Sequence, residues 1–288
     1  MGERSRLGVV AMEARGMRSM GVTLPVPVLL VAALLGGPAA FACGVDSDCA
    51  IAGGDYRIAL PSAAADPLGA IVFLHGSDGS PEDIMGFAAL REVADRLGVA
   101  LIAPRGIDGA WRLPDAYPGP RDDVAFVDAV VADAEARLPI DPQRIMIAGF
   151  SLGASMAWYV ACAEGDRYAG YAAVAGAFWD PYVGSCATPL PELFHVHGLA
   201  DDVVPLDGLI VPEGVEGSPW HSLALLREFS GCAGGLEPEP SDTADLDCAA
   251  QVCGGATQEI CLHPGGHGVD PRWIERAWHR LAAIKGWE

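Results

Sequence analysis

The sequence predicts an α/β fold, a mostly parallel β-sheet covered by helices on both faces. Three observations carry that expectation. Short apolar runs alternate with longer stretches of helical period along the chain. The runs are compact and apolar, as strands buried on both faces require. A Gly-x-Ser-x-Gly turn, Gly149 to Gly153, joins one such run to a helical stretch. Composition agrees: 288 residues, 51% hydrophobic and 19% charged, describe a globular chain, and 36 Gly and 22 Pro without a fixed period exclude a solenoid. With 38 acidic against 18 basic side chains the formal charge is -20. Such a chain repels phosphate backbones and anionic lipid headgroups, which excludes nucleic-acid and peripheral-membrane partners and leaves a neutral or weakly charged small molecule.

In chain order, the first feature is an apolar run at 24–35, LPVPVLLVAALL, with Arg15 and Arg18 before it and small residues up to Ala42 behind it. This is the pattern of a secretory signal peptide over 1–42, cut after Ala42, with one catalytic domain over 43–288. The run is too short for a membrane anchor, which needs about 20 apolar residues. The stretch before it is long for a signal, so Met12, Met17 and Met20 are alternative starts. Cys43 stands where a lipoprotein would be acylated, yet Ala40 and Phe41 fit that signal poorly, so release to the periplasm or the exterior is expected. All 8 cysteines follow the cut, and an even set in an exported chain points to disulfides. Cys43 is expected to pair with Cys49 and Cys162 with Cys186, while Cys232, Cys248, Cys253 and Cys261 remain unassigned. No CxxC pair is present to complete a zinc pattern, so no metal is expected.

Strands are expected at 56–60, 70–74, 100–103, 145–148, 170–175, 193–197 and 259–262. Ile84, Phe87, Leu90, Val93 and Leu97 form one helical stripe. Val124, Val127, Val131, Ala134 and Leu138 form a second, opened by Asp122 and Asp123 in capping positions. A third helix follows Ser151, a fourth covers 219–229, and Pro271 starts a last one ending near Lys285. Residues 231–255, rich in Gly, Pro, Asp and Cys, read as a long disulfide-tied loop.

The Gly149 to Gly153 turn has the form of a nucleophile elbow. It holds Ser151 in a strained conformation at a strand-to-helix corner, where glycines two positions away on either side admit close backbone approach. A serine hydroxyl needs a base and a group that orients the base, and here both should follow it in the chain. Asp201 is the expected acid, in the turn after 193–197, with Asp202 as the fallback. His267, in the Gly-rich loop after the last strand, is the expected base, and His263 is the competitor. His75 and His197 precede glycines at strand ends, where a structural hydrogen bond is the simpler role. Oxyanion donors are expected from the backbone N–H groups of Leu152, at the helix start, and Ser77, in the loop after IVFLHG. Trp111, Tyr117 and Trp179 lie on segments facing the same edge and are candidates for substrate contact.

HG at 75–76, RDDVAFVDAVV at 121–131, GFSLG at 149–153, HGLADDVVP at 197–205 and GGHG at 265–268 together resemble the secreted polyhydroxybutyrate depolymerase and feruloyl esterase family of α/β-hydrolases. The resemblance covers the chain from about Tyr56 to the last helix. It implies the α/β-hydrolase fold, hydrolysis of carboxylic esters without a cofactor, a triad of Ser151, Asp201 and His267, and oxyanion positions at Ser77 and Leu152. The sequence PGGHGVDP lacks a third glycine and a tryptophan found in many relatives, so a different acyl pocket is expected. With only a short segment after His267, soluble or oligomeric esters, such as hydroxyalkanoate oligomers or feruloyl and acetyl esters, are expected rather than solid polymer. The same triad would serve a serine peptidase or thioesterase, and from another class a catalytically silent secreted binding module could keep the fold. Oligomeric state is not legible.

Overall fold

The sheet is built around a run of residues that leave no polar side chain facing water. Leu68–Leu74 (β3) is buried at every position, which requires cover on both faces. Its alternate side chains divide accordingly. Ala70, Val72 and Leu74 join Ile145 and Ile147 of Ile140–Phe150 (β5) against helices Asp123–Arg137 (α3) and Leu152–Glu164 (α4). Ile71 and Phe73 join Met146 and Ala148 on the opposite face, against Ala88–Leu97 (α2) and Pro271–Lys285 (α6). The computed structural model describes residues 43–287 apart from 188, 242 and 244, and these lie in one compact unit. The expected export segment, 1–42, lies outside the described residues.

With Cys49–Ile51 (β1), Gly54–Ala59 (β2), Ala100–Pro104 (β4), Gly170–Val174 (β6), Leu193–Gly198 (β8), Glu237–Glu239 (β11), Asp247–Cys253 (β12) and Ala256–His263 (β13), the large sheet runs β1-β2-β4-β3-β5-β6-β8-β13-β12-β11. The six strands from β4 to β13 are parallel, and antiparallel strands extend the sheet at both edges. All seven expected strands are present, with edges shifted by a few residues, β5 reaching furthest back to Ile140. Inside β13, Glu259 is fully buried and held by Arg276 of α6, which ties that helix to the sheet.

Two expectations require correction, and one sheet was not foreseen. The stripe from Ile84 to Leu97 is two helices, Pro81–Gly86 (α1) and α2, because Phe87 leaves helical geometry at ψ 83° and its carbonyl then caps the second helix through Leu90 and Arg91. Residues 231–255 are not a single loop. β11 and β12 lie within them, and β12 turns into β13 through Gly254 and Gly255, both at positive φ, in a two-residue hairpin. A second sheet, Trp179–Asp180 (β7), Gly214–Glu216 (β10) and Leu209–Val211 (β9), was not foreseen. Its strands are too short to carry a period. The helix Pro219–Phe229 (α5) follows it.

Four disulfides are formed. Cys43–Cys49 and Cys162–Cys186 pair as expected, and the open set resolves into Cys232–Cys253 and Cys248–Cys261. Cys248, Glu259 and Cys261 come close enough to suggest a metal site, but the two sulfurs are joined to each other and offer no thiolate.

Candidate active site

Ser151 sits between β5 and α4 with φ 57° and ψ -125°, a region that costs a non-glycine residue about 1–3 kcal/mol. The surroundings hold it there. Its N–H donates to Val174 O at 2.9 Å and its carbonyl accepts from Ser155 N at 3.0 Å. A Cβ on Gly149 would lie 2.2 Å from Gly153 O, and one on Gly153 would lie 2.1 Å from Leu74 O. Only glycine lets α4 begin this close to the sheet. Leu152 is the first residue of α4, so its N–H has no acceptor within the helix. The turn after β3 is closed by Gly79 N to Gly76 O, which leaves the Ser77 N–H outside that bond. Ser77, Ser151 and Leu152 line one cavity of about 440 Å³.

Asp201 and His267 are brought together from separate loops. His267 Nδ1 lies 2.8 Å from Asp201 Oδ2. A carboxylate only accepts, so the proton sits on Nδ1 and Nε2 carries the lone pair a base needs. The His267 ring packs on Phe150, the neighbour of Ser151, at 4.7 Å. The hydroxyl of Ser151 takes no hydrogen bond from the described residues. Asp201 is buried, and its Oδ1 accepts from the N–H groups of Val203 (3.0 Å) and Val204 (2.8 Å). The two loops are also joined by Leu199 N to His263 O and Ala200 N to Gly265 O. Asp202 is exposed. His263 accepts from Gly265 N and packs on Trp273 with ring centroids 4.5 Å apart, and among the described residues no carboxylate is bonded to it.

Behind the acid runs a buried hydrogen-bond chain that sequence reasoning did not foresee. Trp158 Nε1–H donates to His195 Nδ1 at 3.4 Å, which makes His195 Nε2 a donor to His197 Nδ1 at 3.0 Å, and so makes His197 Nε2 a donor to Val204 O at 2.7 Å. Burial pushes both imidazoles down, well below the usual value for His195, so both stay neutral. The chain ends on the residue whose N–H holds Asp201. His75 is structural as expected: its Nε2 accepts from Gly106 N at 3.0 Å.

The aromatic candidates separate. Trp179 lines the cavity and stacks with Tyr117, which also lines it, at 6.1 Å. Trp111 does not line it: the residue is 0% exposed, packs on His75 and donates Nε1–H to His75 O. Its place is beneath the Ser77 loop. Glu216, on the unforeseen β10, lines the cavity instead. Burial, with the charges of Asp201 and Glu213, pushes its carboxyl up to about 7.

Known proteins similar to this chain in sequence carry esterase names. The family described as Phospholipase/Carboxylesterase matches residues 124–210. The chain is 33% identical over 239 residues to esterase NocK of Nocardia uniformis subsp. tsuyamanensis, a match that takes in 74% of this chain and 69% of NocK. It is 26% identical over 165 residues to feruloyl esterase C of Emericella nidulans, covering 55% of this chain and 58% of that protein. In fold it is similar to the acetyl xylan esterase from Aspergillus awamori, with a TM-score of 0.61 and 14% identity over 80% of this chain and 95% of the other. The chain therefore belongs to the carboxylic ester hydrolases of the α/β-hydrolase superfamily, in the family that includes NocK and feruloyl esterase C.

Proposed function

We propose that this hydrolase cleaves small or oligomeric esters through an acyl-enzyme formed on Ser151. His267 takes the hydroxyl proton through Nε2 as oxygen attacks the ester carbonyl, and Asp201 keeps the other ring nitrogen protonated. The N–H groups of Leu152 and Ser77 receive the oxyanion. His267 then returns the proton to the departing alcohol, and water, deprotonated by the same ring, releases the acid. The observation that carries this reading is the 2.8 Å contact between His267 Nδ1 and Asp201 Oδ2, with the His267 ring packed on Phe150, the residue before Ser151.

The test is turnover of p-nitrophenyl esters, methyl ferulate, hydroxybutyrate oligomers, a thioester and a peptide side by side. Ester turnover that disappears in Ser151→Ala supports the proposal. Faster cleavage of the peptide or thioester would move it to those classes, and no turnover with any would favour a silent binding module.

Residues 1–42 are proposed as the export signal. Four disulfides support an oxidising destination. Cys43 is bonded to Cys49, which occupies the sulfur a lipid anchor would need. Among the described residues, no helix is long and apolar enough to cross a membrane.

A further inference from the structure

One wall of the Ser151 cavity is chemically distinct. It is formed by the small sheet, where Glu216 pairs through its backbone with Trp179 and with Leu209. Those pairings use only the main chain. The side chain lines the cavity, and its Oε2 is shielded from solvent without a hydrogen-bond partner among the described residues. Buried polar atoms are nearly always paired, so an orphan facing a substrate cavity marks a place where a ligand atom completes the set. We propose that Glu216 is a specificity-determining residue that hydrogen-bonds a hydroxyl group of the ester held in this cavity. The proposal rests on the ester-hydrolase reading of Ser151.

The class of ligand follows from the surroundings of the carboxyl. Burial and the charges of Asp201 and Glu213 push it up to about 7, so near neutrality both protonated and ionised forms are present. The protonated form donates, the ionised form only accepts, and a hydroxyl can answer either. A ketone or ether oxygen answers only the first, and an ammonium only the second. An anionic group is disfavoured, because Asp78, Asp108 and Glu213 also line the cavity and Arg112 is the only cation among its lining residues. Arg112 itself lies over the Tyr117 ring at 4.8 Å.

The experiment compares matched esters with the full chain: methyl butyrate against methyl 3-hydroxybutyrate for the acyl side, and ethyl butyrate against 2-hydroxyethyl butyrate for the alcohol side. The wild type should favour the hydroxylated member of at least one pair by about tenfold or more in kcat/KM, with the difference carried mainly in KM. Glu216→Ala should lose that preference. Glu216→Gln, close in shape and able to donate and accept, should keep most of it, and should lose its pH dependence across the neutral range. A Glu216→Ala protein that keeps the preference overturns the proposal, and so does one that loses both members of a pair equally. If Glu216→Ala does not fold, a Glu216→Gln enzyme whose preference still changes with pH as the wild type's does overturns it. A wild type that takes a fluorophosphonate on Ser151 and hydrolyses the plain esters without any preference overturns this proposal alone. One that does neither overturns the esterase reading as well.

Discussion

Asp201 divides its two oxygens between His267 and its own turn: Oδ2 meets His267 Nδ1 at 2.8 Å, while Oδ1 accepts from the N–H groups of Val203 and Val204. The carboxylate is thus held by its own turn, with the neutral His197 Nε2 also 3.6 Å from Oδ2. Replacing it by asparagine keeps the shape but puts an N–H or a neutral oxygen where Nδ1–H needs a charged acceptor. Asp201→Asn should lower kcat by about 10³- to 10⁴-fold, with little change in KM, measured on a soluble p-nitrophenyl ester. A fall below tenfold would remove Asp201 from the proposed triad.

The chain from Trp158 through His195 and His197 ends on the Val204 carbonyl, one peptide unit from an N–H that holds Asp201. His197→Phe leaves the His195 donor and the Val204 acceptor buried without partners, at a cost of about 1–3 kcal/mol in stability. A displaced acid turn should also lower kcat by up to about 100-fold with KM retained. Denaturant unfolding and steady-state kinetics together check this. A stability loss with unchanged kcat would show that the chain serves the core alone.

Close approach at the elbow makes a graded prediction. A methyl at Gly153 would lie 2.1 Å from Leu74 O and 2.4 Å from His75 O, both backbone atoms that cannot swing away. Gly153→Ala should cost more than about 3 kcal/mol. Gly86→Ala, where a Cβ meets nothing within 4 Å, should stabilise by about 0.5–1 kcal/mol. Urea midpoints of the two variants decide it, and equal effects would contradict the packing described for the elbow.

Glu216 gives the stability a pH dependence of known sign. In the unfolded chain a glutamate ionises near its ordinary value of 4.5, and in the fold burial raises this one to about 7. Between those values the folded state binds more protons than the unfolded, so this residue makes unfolding easier as pH rises, and the effect levels off above the folded value. Glu216→Gln should gain thermal stability relative to wild type at pH 8.5 and little or none at pH 4. The opposite order would place the carboxylate in a favourable environment.

How much of this was legible in the sequence depended on how local the cause was. β3 and the elbow were readable because a run such as Ala70 to Leu74, or a glycine on either side of Ser151, carries its own structural reason within a few residues. His267 was expected over His263 from its place in the loop and Asp201 over Asp202 from its distance to the strand, and the 2.8 Å contact joins those two residues. The small sheet was invisible: β7, β9 and β10 have only 2–3 residues each, and with Leu209 and Ile210 of β9 exposed no apolar pattern marks them. Glu216 was missed for that reason. β12 was hidden by a composition that suggests a loop, although Gly254-Gly255 between two short polar-apolar runs was a hairpin signal in plain view. Trp111 was misplaced because a tryptophan in a loop before a catalytic edge carries no mark of which way it turns.

The most direct measurement is mass spectrometry of the protein after treatment with a fluorophosphonate, with Ser151→Ala and His267→Ala treated in parallel. A single adduct is expected on the peptide containing Ser151 in the wild type, none in Ser151→Ala, and slow or absent labelling in His267→Ala. An ester-hydrolysing wild type whose adduct lies on another residue, or labelling that is as fast without His267 as with it, would contradict the account.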